Sequence, residues 1–132
     1  MSYRISIARF AAATVALAVS ASLYAQSVAF EITDFDRYDA PWALEFLPDG
    51  RLLLSEQAGA LKLLSGNGEL LGEISGVPEV DFAGQGGLGD IVLHPQFARN
   101  NEIYISYAEG GRMMTRGAAV ARAELALTRN GG

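Results

Sequence analysis

One stretch of the 132-residue chain has residue types suited to holding a small polar ligand. Residues 76–90 are Gly-rich, with Gly84, Gly86, Gly87 and Gly89 crowded into six positions around Gln85. Glycines at that density permit backbone angles closed to other residues and let a ligand or a second backbone come close. Gln85 presents both a donor and an acceptor without a charge, which suits a neutral, hydroxylated partner. The spacing is not that of a phosphate loop, because no Gly-Lys-Ser/Thr follows and no strand-to-helix turn is indicated. The remaining candidates are thinner. His94 is the single histidine and cysteine is absent, which excludes thiol catalysis, thiolate zinc and two-histidine metal sites within this chain. His94 precedes Pro95 at the end of an apolar run and reads as a structural residue capping a turn. Asp49, between Pro48 and Gly50, reads as a turn residue bonding the backbone two positions on. Glu79 with Asp81 would share a face of extended chain, and Asp34, Asp36 and Asp39 form a similar acidic run. Neither set offers the further oxygen ligands that calcium takes, so both read as solvated edges.

The elements that must position these residues are short strands. Apolar runs at 42–47, 51–56, 60–65 and 69–74 are separated by turn signals, among them Pro48-Asp49-Gly50 and Gly66-Asn67-Gly68. No window there carries the 3.6-residue period of a helix, and the segment predicts a four-stranded antiparallel meander. A second unit begins alike: residues 44–48 align with residues 91–95 at an offset of 47, and a strand at 102–107 follows a polar turn. Residues 118–127 predict a further strand, with a helix as the alternative. Four strands per unit at a spacing in the forties is the arithmetic of a β-propeller blade, although two meanders also suit a sandwich. A propeller closes with about four blades or more, so this length supplies only a part of one. Unclosed blades leave apolar faces and unpaired edges. The chain is therefore expected to be the N-terminal piece of something longer.

Charge and composition narrow the partners. Ten Lys and Arg against fifteen Asp and Glu give a net charge of −5, and half the residues are hydrophobic. That excludes extended disorder and collagen, and the lack of a basic cluster argues against nucleic acid. Arg4 and Arg9 precede an apolar run at 10–19 and then small residues, the pattern of a secretory signal peptide. Residues 1–25 are read as that signal, with cleavage after Ala25 or after Ala29. The run is shorter than the ~20 residues of a membrane span, so no span is expected after cleavage. Residues 26–132 would then be a periplasmic or secreted chain. Removing Arg4 and Arg9 leaves eight basic against fifteen acidic side chains, a net −7 that favours a neutral or cationic partner.

Five pieces occur in a fixed order: Pro41-Trp42-Ala43-Leu44; Leu47-Pro48-Asp49-Gly50-Arg51-Leu52-Leu53; Gly84-Gln85-Gly86-Gly87-Leu88; Leu93-His94-Pro95 with Phe97; and Ile103-Tyr104-Ile105-Ser106-Tyr107. Together they resemble the N-terminal part of the glucose/sorbosone dehydrogenase family, the soluble quinoprotein aldose sugar dehydrogenases. The resemblance implies an all-β, six-bladed β-propeller that binds pyrroloquinoline quinone (PQQ) and calcium. It implies hydride transfer from the anomeric carbon of an aldose to the quinone, with a histidine taking the hydroxyl proton, a lactone as product and an external electron acceptor. It places Gln85 at the sugar site. Trp42, Phe46, Tyr104 and Tyr107 read as core or inter-blade packing, though an aromatic at a channel mouth can also stack on a sugar. The same resemblance puts the catalytic base and the quinone and calcium ligands beyond residue 132, so the chain by itself is expected to hold one sugar-contacting residue and none of the chemistry. One departure is Gly89, where the family commonly has a second Leu. Two other readings share the scaffold: a non-catalytic propeller that binds a partner, and a calcium-dependent propeller lactonase.

Overall fold

In a computed structural model of the protein, residues 30–132 are described, and the segment read as a signal peptide lies outside them. The chain from Thr33 onward forms one compact unit built from two antiparallel sheets. The first runs in the order β1 (Pro41–Phe46), β2 (Leu52–Glu56), β3 (Leu61–Leu64) and β4 (Leu70–Ile74), a four-stranded meander. Its four strands fall on the four apolar runs of the sequence. The second sheet orders β5 (Leu88–Leu93), β6 (Glu102–Gly110) and β7 (Arg116–Glu124). β1 and β5 each open their sheet, which is the structural meaning of the 47-residue offset.

Turn chemistry closes the first hairpin. Gly50 N–H donates to Leu47 O at 3.0 Å and Leu47 N–H to Arg51 O at 2.8 Å, with Gly50 at φ 87°. Asp49 accepts the Arg51 N–H at 3.0 Å and both Nε and Nη2 of its guanidinium at 2.9 and 2.7 Å. The Arg51 side chain thereby holds the Asp49 carboxyl below its ordinary value. A carboxylate lowered in the folded state contributes stability above its ordinary pKa, and that contribution is lost as pH falls through the lowered one. Half of the Asp49 side chain is exposed, so solvent screening limits the pair to under about 1 kcal/mol. Asp49→Asn should lower stability by less than that at neutral pH. The gap from the parent should shrink on acidification, as read by melting curves at neutral and acidic pH.

All of β2 is buried, and the two-residue period decides on which face each side chain lies. Leu53 and Ser55 face the second sheet, while Leu52 and Leu54 point away. Leu53, Leu61, Leu63 and Ile74 of the first sheet join Leu88, Ile91, Ile103 and Ile105 of the second in one continuous core. Each of these side chains contributes about 1.5–3 kcal/mol by leaving water. On the opposite face, Leu52, Leu54 and Leu64 pack under Tyr38, whose hydroxyl donates to Gly68 O at 2.8 Å. Trp42, Leu44 and Phe46 stand on that outer face of β1, 46–67% exposed, outside the two-sheet core. Tyr104 and Tyr107 are half-buried in the second sheet.

Residues 116–124 are a strand, not the alternative helix. Nine consecutive pairs link β6 to β7, from Glu102 with Glu124 to Gly110 with Arg116. That ladder overrides the helix preference of its alanines. The polar turn after Pro95 is in fact a single helical turn, α1 (Phe97–Asn100), ended by Asn101 in the left-handed conformation at φ 51°. Among the described residues no helix is long and apolar enough to cross a membrane.

Candidate functional site

The Gly-rich stretch forms the rim of an open cleft of about 520 Å³, lined among others by Trp42, Gln57, Gln85, Ser106, Tyr107 and Arg116. Two bonds to one residue of β6 set the shape of the rim. Asp81 N–H donates to Ala108 O at 2.9 Å, and Ala108 N–H donates to Gly87 O at 2.9 Å. Between those anchors, Gly86 N–H returns to Ala83 O at 3.1 Å, closing a tight turn over Ala83, Gly84, Gln85 and Gly86. Gly84 sits at φ 64° in that turn and Gln85 does not share its positive φ, the pattern that requires Gly at the first central position. Gln85 is exposed at the turn's tip and lines the cleft. The turn is closed by backbone bonds alone, so the Gln85 amide is not spent on holding it.

The second constraint is a close approach. Leu88 N–H donates to Gln57 O at 2.9 Å, seating the loop on the end of the β2–β3 hairpin. A Cβ at Gly87 would fall 2.1 Å from that carbonyl oxygen, and φ there is 120°. Only glycine fits. At Gly89 a Cβ would lie 2.7 Å from Ser106 Oγ. Ser106 therefore fills the space that a side chain at position 89 would need, and packing around this departure is tight.

Arg116, which sequence reasoning did not single out, donates from Nε to Asp81 Oδ2 at 2.7 Å. It brings a positive charge to the cleft wall, and Asp81 is its partner instead of a solvated edge. Glu79 stays apart from that pair. Asp36 accepts its neighbour's Arg37 N–H, and Asp39 N–H donates to Glu56 Oε1 at 2.8 Å. Among the described residues no three His, Asp or Glu side chains gather as metal ligands.

His94 lies at the far end of β5 from the loop. Six residues at ~3.3 Å each put about 20 Å between it and Leu88. Its Nδ1 accepts Gln96 N–H at 3.0 Å and sits 3.0 Å from Asn100 Nδ2. Asn100 Oδ1 accepts Glu102 N–H at 3.1 Å, which turns the amide nitrogen toward the ring and leaves the imidazole proton on Nε2. Tyr104 stacks on the ring at a centroid distance of 6.1 Å. His94 caps the turn into α1, as its setting in the sequence implied, and does not line the cleft.

Fold and rim together define a scaffold of two antiparallel sheets with a glycine-built loop over an open cleft. Residues 38–131 match the Glucose / Sorbosone dehydrogenase family, and the chain belongs to it. Among individual relatives, the chain is 44% identical over 86 residues to the aldose sugar dehydrogenase YliI of Escherichia coli K12, covering 64% of this chain and 23% of that protein. The soluble aldose sugar dehydrogenase of Escherichia coli in its apo-form superposes with a TM-score of 0.66 at 40% identity, over 70% of this chain and 27% of that one. The PQQ-bound aldose sugar dehydrogenase of Streptomyces coelicolor gives 0.53 at 28% identity, over 65% and 25%. The chain thus spans about a quarter of the length of these relatives. Its two sheets are blades of the β-propeller.

PQQ is a tricarboxylate, and a site for it needs several cations or convergent N–H groups. The cleft offers the Arg116 guanidinium, already engaged by Asp81. The lining of the cleft does not fit the quinone, and among the described residues no three acidic or histidine side chains gather for calcium.

Proposed function

We propose that this chain is the N-terminal part of an exported quinoprotein that oxidises the anomeric carbon of an aldose to a lactone. In this reading PQQ accepts the hydride, calcium assists the quinone, and an external acceptor takes the electrons away. Base, quinone ligands and calcium ligands come from segments after residue 132. The signal-like residues 1–25 carry the product to the periplasm or outside the cell. This chain's part is to build one wall of the sugar site. The observation that carries the proposal is the presentation of Gln85: family membership supplies the class of reaction, and the turn at 83–86 aims an uncharged amide into an open cleft. An amide there hydrogen-bonds sugar hydroxyls without asking a neutral substrate to shed a charge.

The test is Gln85→Ala in the complete enzyme reconstituted with PQQ. Losing a neutral hydrogen bond of about 1–1.5 kcal/mol should raise KM for the aldose roughly five- to tenfold. PQQ affinity, followed by titration of the cofactor's absorbance, should stay unchanged. An unaltered KM would remove Gln85 from the sugar site.

A further inference from the structure

We propose that the Asp81–Arg116 ion pair is a latch that sets the position of Gln85, making Arg116 a positioning residue for sugar binding; the inference rests on the reading of Gln85 given above. Asp81 and Gly87 are the two feet of the rim loop, and both stand on Ala108 of β6. Asp81 has a second tether, from its carboxylate to Arg116 Nε at 2.7 Å, across 35 residues of sequence. Arg116 opens β7 and pairs with Gly110, two positions beyond Ala108 on the same hairpin. The hairpin tip is itself held, with Gly111 N–H on Thr115 O at 2.7 Å and Thr115 Oγ1 on Arg112 O at 2.7 Å. The guanidinium therefore reaches Asp81 from a braced position. Asp81 O in turn accepts Ala83 N–H at 3.2 Å, the first residue of the turn that carries Gln85. Guanidinium, carboxylate and foot form one chain of contacts that ends at Ala83, two residues before Gln85 in the same turn. With both charges on side chains that solvent still reaches, the latch tunes position and does not hold up the fold.

The experiment compares Arg116→Ala, Asp81→Ala, the charge exchange D81R/R116D, and each single variant combined with Gln85→Ala, all in the complete PQQ-loaded enzyme. Arg116→Ala and Asp81→Ala should each raise aldose KM about three- to fivefold, as a half-exposed ion pair allows. The value of kcat and the melting temperature should hold. The charge exchange should restore part of the KM, and neither single change should add to Gln85→Ala, because all act through the same amide. Four results overturn the latch. If Gln85→Ala raises KM and neither latch variant does, the latch falls while the sugar-site reading stands. If Arg116→Ala raises KM and Asp81→Ala does not, Arg116 touches the sugar directly. If the latch variants add fully to Gln85→Ala, they act elsewhere. If Gln85→Ala itself leaves KM unmoved, both the reading and the latch fall.

Discussion

Gly87→Ala should be the most damaging small substitution in the rim, removing about 3–5 kcal/mol of stability. Two independent costs add there. An L-residue held at φ 120° stores strain of order 1–3 kcal/mol. The new methyl would also sit 2.1 Å from Gln57 O and 2.9 Å from its carbon. Those are backbone atoms, so no side chain can swing aside. Relief needs a shift of roughly an ångström between the loop and the β2–β3 hairpin, and the Leu88–Gln57 bond at 2.9 Å cannot survive it. Losing that bond between partly buried backbone groups costs about another 1 kcal/mol. Gly76→Ala is the matched control. Its φ of 76° is similarly left-handed, yet nothing lies within 4 Å of the added methyl, so about 1–2 kcal/mol is expected. Denaturant midpoints for the two variants measure the difference directly. A Gly87 variant no worse than the Gly76 variant would show that loop and hairpin are not in close contact.

How much of this could be read from residues alone depends on the range of the interaction. Strands β1 to β4 follow from short apolar runs and from turn signals such as Pro48-Asp49-Gly50, where each residue acts on its immediate neighbours. The importance of residues 84–88 was also legible, because glycine density is a local signal. Ser55 left a weaker trace. It shares the Leu53 face of β2, and a hydroxyl among leucines must find partners, but only the fold says which. Arg116 left none. Its partner is 35 positions away, and an isolated Arg at the start of an Ala-rich run looks like any solvated charge. The single turn at Phe97–Asn100 was hidden for a different reason, since four residues are too few to display a helical period. Where β5 begins was equally obscure. Leu88 and Gly89 belong at once to the glycine loop and to the strand, and pairing with Tyr107 settles it.

Ser55→Ala should cost about 2–4 kcal/mol, far more than an oxygen atom's worth of packing. The reason is a coincidence of two irregularities. β1 has a bulge between Pro41 and Ala43, and β5 has one between Leu88 and Ile91. A bulge takes backbone groups out of the regular ladder. β1 and β5 lie against each other, so the displaced groups meet between the sheets at half-buried positions. The Ser55 hydroxyl answers both: it accepts Ala43 N–H at 3.1 Å and donates to Gly89 O at 2.8 Å, with no exposed surface of its own. One hydroxyl is suited to this because it is donor and acceptor together. Alanine strands one N–H and one C=O, at about 1–3 kcal/mol each, with some relaxation between them. The vacated oxygen leaves too little room for a bridging water. Ser55→Cys keeps the shape with a weaker donor and acceptor, and should fall between the parent and alanine. Equilibrium unfolding of the three proteins orders them. An alanine variant within about 0.5 kcal/mol of the parent would mean that the two bulges find other partners, and that the glycine rim is not seated through Ser55. If the expected order holds, the same residue that completes the core also fixes the strand from which the Gln85 loop departs.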